Sequence, residues 1–218
     1  MKNLKYTHKQ KTEARLHTII NPYRTFFSYS LPPNQQYWTM CSYVHDDNYP
    51  QDTELGQILA SNLITENQFH GVDLDPITYN SNMDYKNKTN SPIHLYNNDI
   101  LDQMKSSYAN GDFNPGIVNC DMMAEPRQAI DELFLDTFHF LTNVCKDNKI
   151  LLVANFISKL WFTNGKKYGE DIIEILKSCQ FFNTSCFEKK IWKISSSDYQ
   201  YQWKKNTPMV SILFFKGL

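Results

Sequence analysis

Gly116-Ile117-Val118-Asn119-Cys120-Asp121, a helical stretch from Pro126 to Lys146, and then Ile150-Leu151-Leu152-Val153-Ala154-Asn155 are the three pieces from which the fold class follows. The first and third pieces are short and apolar with no alternation, which is how strands buried on both faces of a parallel sheet read. Between them Ile130, Leu133, Phe138, Leu141 and Val144 recur near helical spacing. Strand, helix, strand in that order is a crossover unit, and such crossovers are right-handed.

The same alternation extends outward in both directions. Toward the N-terminus, Tyr37–Tyr43 reads as a first strand and Thr53–Leu63 as a helix capped by Asp52 or Thr53. Gln68–Asp73 follows as a second strand, and Asp75-Pro76 supplies an N-cap acid with Pro at the first helical position. Pro92–Asn97 is a third strand, and Asp99 caps a helix that ends near Asn110-Gly111. An N-terminal helix is expected over residues 8–22, ended by Asn21-Pro22. Toward the C-terminus come a helix near 169–179 and two strands near Thr184–Ile194 and Met209–Lys216. No helix separates those two strands, so they should pair antiparallel. The expected fold is α/β: a doubly wound, mostly parallel seven-stranded sheet with a C-terminal antiparallel hairpin and helices on both faces. One domain is expected, with residues 1–35 as a helical arm and 36–218 as the body.

Composition supports one sizeable core, with 41% hydrophobic and 14% aromatic residues in 218. No apolar run approaches the roughly 20 residues of a membrane helix, and Met1–Gln10 is polar and basic, without a secretory h-region. The five cysteines (41, 120, 145, 179, 186) are scattered with no CxxC, as expected of buried thiols in a reducing cytoplasm. The six histidines show no HExxH, so no metal site is expected. Neither a Walker loop nor GxGxxG is present, which argues against an NTPase and a nicotinamide enzyme. Asn is abundant and Gly scarce, the usage of an AT-biased genome such as that of a phage or low-GC bacterium.

Charge is unevenly spread. Residues 1–24 carry six Lys/Arg against one acid and residues 145–218 twelve against six, while 25–144 hold sixteen acids against four bases. Basic ends can contact a polyanion, although a solvated face reads the same way. Tyr23, Phe26, Phe27 and Tyr29 at one end, and Tyr199, Tyr201 and Trp203 at the other, would either stack bases or pack the N-terminal arm.

Several local motifs resemble those of the class I S-adenosylmethionine-dependent methyltransferases. Phe69-His70-Gly71-Val72-Asp73-Leu74-Asp75 is similar to that family's second-strand motif, in which the acid holds the cofactor's ribose hydroxyls; by position this is Asp73. Asn98-Asp99-Ile100-Leu101 resembles the motif after the third strand, which implies that Asp99 and Ile100 flank the adenine. Asn119-Cys120-Asp121 ends the fourth strand, where the resemblance implies that Asn119 lies beside the cofactor and Asp121 orients or deprotonates the acceptor. Asn206-Thr207-Pro208-Met209 looks like the family's final hairpin.

One departure is plain. The family's first strand runs into a glycine-rich turn, whereas residues 38–47 contain no glycine and Gly56 already lies inside a predicted helix. Contacts with the methionine part of the cofactor therefore fall to Cys41, Ser42, Tyr43 and His45. The implied activity is methyl transfer from S-adenosylmethionine, with nucleic acid favoured as acceptor over small molecules by the basic ends. The alternative is a non-catalytic methyltransferase-fold module that binds nucleic acid or a protein partner.

Overall fold

The computed structural model describes residues 13–40, 44, 53–122, 134–157, 168–196, 201–204 and 207–218. Strands β1 (Gln36–Met40), β2 (Phe69–Val72), β3 (His94–Tyr96), β4 (Pro115–Met122) and β5 (Ile150–Ile157) are parallel. β6 (Trp192–Ser196), β7 (Tyr201–Lys204) and β8 (Thr207–Lys216) complete the sheet in antiparallel register. The strand order is β3-β2-β1-β4-β5-β8-β6, with β7 paired to β8 off this path. Met209 bridges Ile157 of β5 and Tyr201 of β7, so β6 and β7 are two lengths of one edge strand along β8. The doubly wound reading therefore holds, with seven strands on the main path. The chain order reverses between β1 and β4, and the crevice at a sheet's carboxyl ends opens at such a switch point.

Register explains the two cores. Ile117 faces Leu151, and Val118 faces Leu152, so alternate residues sort onto opposite faces. One face carries Trp38, Val118, Cys120, Leu152, Ala154 and Phe214. It is covered by α4 (Ile100–Ala109), α5 (Leu135–Val144) and α6 (Tyr168–Lys177). The other face carries Tyr37, Phe69, Ile117, Leu151, Val153 and Phe215 beneath the N-terminal helix and α2 (Glu54–Ala60). Phe138 of α5 touches Phe182, Trp192 and Phe214 with ring centroids 5.1–5.6 Å apart, which ties three elements together. Lys216 is buried, and its Nζ donates to the Cys145 and Lys146 carbonyls, a cation placed against the carboxyl end of α5.

Two expectations need correction. The N-terminal helix does not stop at Asn21-Pro22. A π-helical turn, Leu16–Ile20, passes into α1 (Asn21–Phe26), with the Asn21 N–H donating to the Leu16 carbonyl. Pro22 thereby falls in the first turn of α1, where its missing N–H is least costly. The segment read as a strand from Thr184 is helical at its start: α7 (Gln180–Asn183) runs into a π-helical turn, Thr184–Glu188. Phe182, Ser185 and Cys186 are its buried residues, a helical spacing that the aromatic content had masked. Of the helix expected over 126–146, residues 126–133 lie outside the described residues.

Candidate cofactor crevice

β2 ends at Val72, and Asp73 begins the turn into α3 (Pro76–Thr89). The Asp73 N–H donates to the Tyr96 carbonyl at 3.0 Å, which fixes this turn to the end of β3. Its own carbonyl accepts from Asn97 Nδ2 at 2.8 Å. Asp73 Oδ1 accepts from the Asp75 N–H at 2.8 Å, and no described residue engages Oδ2. The side chain is half-buried, and burial raises its pKa above the usual carboxylate value, an effect the Asp75 N–H bond offsets and the Asp75 charge reinforces. A partly desolvated carboxylate with one oxygen open gains from donors that arrive with a ligand.

Asp75 does the local work. It accepts from the Ile77 and Thr78 amides at 3.2 Å and from Thr78 Oγ1 at 2.7 Å, and these bonds lower its pKa. Leu74 and Ile77, 65% and 73% exposed, stand on either side of it as apolar groups facing water. Sequence reading gave these two no role; apolar residues next to a capping acid were the available signal.

Asp99 caps α4 through Oδ1 alone, accepting from Leu101 N at 2.8 Å and Asp102 N at 3.3 Å. Its second oxygen takes no bond from the described residues. Ile100 is buried in the core, so only its backbone amide, in the helix's first turn, is presented there. The charges of Asp99 and Asp121 both reach the Cys120 thiol, whose pKa burial, their fields adding, pushes up to about 12. Burial likewise pushes Cys145 and Cys186 to about 12, so these thiols stay protonated and inert.

Asn119 behaves differently from the acids. It is buried; its Nδ2 donates to Glu54 Oε1 at 3.1 Å and Thr39 Oγ1 at 3.4 Å, and its Oδ1 accepts from Asn155 Nδ2 at 3.1 Å. Asn155 Oδ1 in turn accepts from Ser211 Oγ at 2.5 Å. Tyr37 O–H donates to Glu54 Oε1 at 2.6 Å, and Arg15 lies 3.7 Å from Oε2. A polar belt therefore crosses β1, β4, β5 and β8 just below the crevice, centred on Glu54, which sequence reading did not single out. Asp121 is half-buried and sits opposite Asn155 in register.

Cys41, Ser42, Tyr43 and His45 lie outside the described residues. Val44 is described: it is buried, and its N–H donates to Asn82 Oδ1 of α3 at 3.0 Å. Trp38 points to the other side of the sheet, its indole stacked on His70 at 4.5 Å. At the N-terminal end Phe26 packs on Phe215 at 4.5 Å, which favours packing over base stacking for that pair. Tyr29 instead lies exposed under the Arg24 guanidinium. Among the described residues no His/Cys/Asp/Glu group is placed to hold a metal, and no helix is long and apolar enough to cross a membrane.

Solved structures share this architecture. A SAM-dependent methyltransferase from Agrobacterium tumefaciens superposes with TM-score 0.55 and 9% identity, over 95% of this chain and 62% of that one. This chain has the class I methyltransferase fold. The METTL16 methyltransferase domain (TM-score 0.49, 11% identity, 95% and 68% covered) and M. jannaschii TYW2 in complex with AdoMet (0.47, 11%, 91% and 76%) resemble it more loosely. No protein-family model and no curated protein matches the sequence. In this methyltransferase fold the acids at 73, 99 and 121 end or follow successive strands of the parallel half of the sheet.

Proposed function

We propose that the chain is an S-adenosylmethionine-dependent methyltransferase whose cofactor lies across the carboxyl ends of β1, β2 and β3. The observation that carries this reading is Asp73: half-buried, raised in pKa, and holding one carboxylate oxygen open at the end of β2. Two vicinal hydroxyls suit that oxygen pair. The open oxygen of Asp99 suits an exocyclic amine, with the Ile100 amide beside it, while Leu74 and Ile77 offer apolar contact to a ring. Cys41, Ser42, Tyr43 and His45 are assigned the amino-acid end of the cofactor, and Asn119 the floor beneath it. When bound, the cofactor supplies an electrophilic methyl group on a sulfonium. The protein's part is to hold the acceptor in line and take its proton, which falls to Asp121. Nucleic acid is the favoured acceptor on the strength of the basic ends.

Calorimetric titration with S-adenosylhomocysteine tests the reading, and micromolar one-site binding is expected. Asp73→Ala should weaken it about 30- to 150-fold, the loss of charge-assisted bonds worth roughly 2–3 kcal/mol. Asp75→Ala should loosen α3 and leave affinity in place. Unchanged affinity in Asp73→Ala removes that assignment, and a wild-type chain that binds neither S-adenosylhomocysteine nor S-adenosylmethionine is a non-catalytic module, as the glycine-free loop would then signify.

Asp121 is distinguished by kinetics. Asp121→Ala should bind the cofactor normally while turnover falls about 10²- to 10⁴-fold, the usual contribution of a positioned base. Loss of cofactor binding in that variant would move Asp121 to the other side of the site.

A further inference from the structure

We infer a second ligand site, for an uncharged nucleobase, in the cavity at the amino ends of β1, β2 and β4. The cavity measures about 620 Å³, within the range of small-molecule sites. It lies further along α4 than the crevice: Asp99 caps the helix at the carboxyl end of the sheet, whereas Gln103 and Ser107 line the cavity one and two turns on. Nothing in the proposed methyl transfer uses it.

Its floor is built from stacked rings. Parallel register sets Trp38 beside His70 and His70 beside His94. The ring centroids are 4.5 and 4.4 Å apart, tilted by 26° and 12°. Tyr96 joins the column, 9° from the Trp38 plane, and its hydroxyl meets His70 Nδ1 at 3.1 Å. The column begins on a fully buried indole and ends on the exposed imidazole of His94, in edge strand β3. A stack that stops at an open ring face is completed by another flat ring. Burial lowers the pKa of both histidines, so at neutral pH the rings carry no charge.

The walls choose the kind of ring. Among the described residues no Lys or Arg lines the cavity and its one carboxylate is Asp112; Lys86 of α3 stands outside the lining, near enough for its charge to help lower the His94 pKa. A phosphate would meet the Asp112 carboxylate in the wall and no cation of the lining to offset it. Amides are abundant instead: Gln36 and Gln68 are tied to neighbouring backbone and hold the wall rigid. Gln103 gives only its oxygen to Asn98, and its NH₂ remains available beside the Ser107 hydroxyl. Paired donors and acceptors beside the ring column match the edge of a nucleobase.

The test is titration of adenosine, guanosine, cytidine and uridine into the full chain saturated with S-adenosylhomocysteine, followed by calorimetry and by histidine ring resonances. One nucleoside is expected to fill one site and shift the His94 signals, with ribose alone inert. His94→Ala and Gln103→Ala should each weaken binding about tenfold or more, the scale of a lost stacking contact, while Asp73→Ala leaves it unchanged. Gln103 is half-buried at the cavity wall and lies outside the packed core, so that variant decides the matter if His94→Ala fails to fold. The site is refuted if none of the four nucleosides binds, if ribose binds equally well, or if affinity falls with Asp73→Ala and survives His94→Ala and Gln103→Ala. Failure of S-adenosylhomocysteine to bind would overturn the methyltransferase reading and leave this comparison of variants intact.

Discussion

Glu54→Ala is expected to destabilise the chain by about 3–5 kcal/mol, the usual penalty for removing one partner of a buried charged network. The Glu54 carboxylate is 13% exposed and the Arg15 side chain facing it 12%. Its Oε1 is the acceptor for Tyr37 O–H and Asn119 Nδ2, so truncation removes that acceptor from two buried donors and an anion from beside a guanidinium. Burial already drives the Tyr37 pKa well above that of a free phenol, and the Glu54 charge adds to this, so the hydroxyl stays a donor at any ordinary pH. Glu54→Gln keeps an acceptor at the same place and should cost only about 1–2 kcal/mol, the net worth of charge-assisted over neutral bonding. Urea unfolding of the three proteins gives the comparison directly. Equal losses in the two variants would show that charge matters and hydrogen bonding does not; a loss under 1 kcal/mol in Glu54→Ala would mean the belt is not a stabilising unit.

Which features could be read in advance follows from the range of the interactions that make them. Asp75 and Asp99 were legible because a cap is local: the acid, the amides it meets and the helix it starts lie within three residues. β4 and β5 were legible because burial on both faces leaves no polar alternation. The turn at Thr184 was misread because an aromatic-rich run suits a strand as well as a helix until Phe182 and Cys186 are seen on one buried face. Glu54 was invisible for a different reason: its partners Tyr37 and Asn119 are 17 and 65 residues away, and only the β1–β4 pairing brings them together. The ring column has the same origin. Trp38, His70 and His94 sit in three separate strands, and only parallel pairing in the observed register aligns them. The candidate acids could therefore be found one at a time, while the belt beneath them and the cavity beside them are properties of the sheet.

The column also makes stability depend on pH, with His70 as the largest contributor. Burial, helped by the neighbouring His94, lowers the His70 pKa to about 3, against about 6.5 when unfolded. Between those values the unfolded chain binds a proton that the folded chain refuses, so stability rises with pH through this window. The contribution is complete above pH 6.5 and is lost progressively as pH falls toward 3. At about 1.4 kcal/mol per pH unit the whole window is worth roughly 4–5 kcal/mol, and about 3 of these are gone by pH 4. His94, lowered by burial and by Lys86, acts in the same direction with a smaller share. Carboxylates titrate in this range too, so the informative quantity is the difference between wild type and His70→Phe, which keeps a ring in the stack and removes the proton site. At pH 8 that variant should lie within about 1 kcal/mol of wild type, the net value of the bond to Tyr96 O–H. At pH 4 it should be the more stable protein by about 2–3 kcal/mol. Urea unfolding at half-unit steps from pH 4 to 8 measures both, and parallel curves for the two proteins would mean that His70 takes up its proton without leaving the fold. A crossing of the curves would instead establish that the neutral imidazole is a condition of the folded stack.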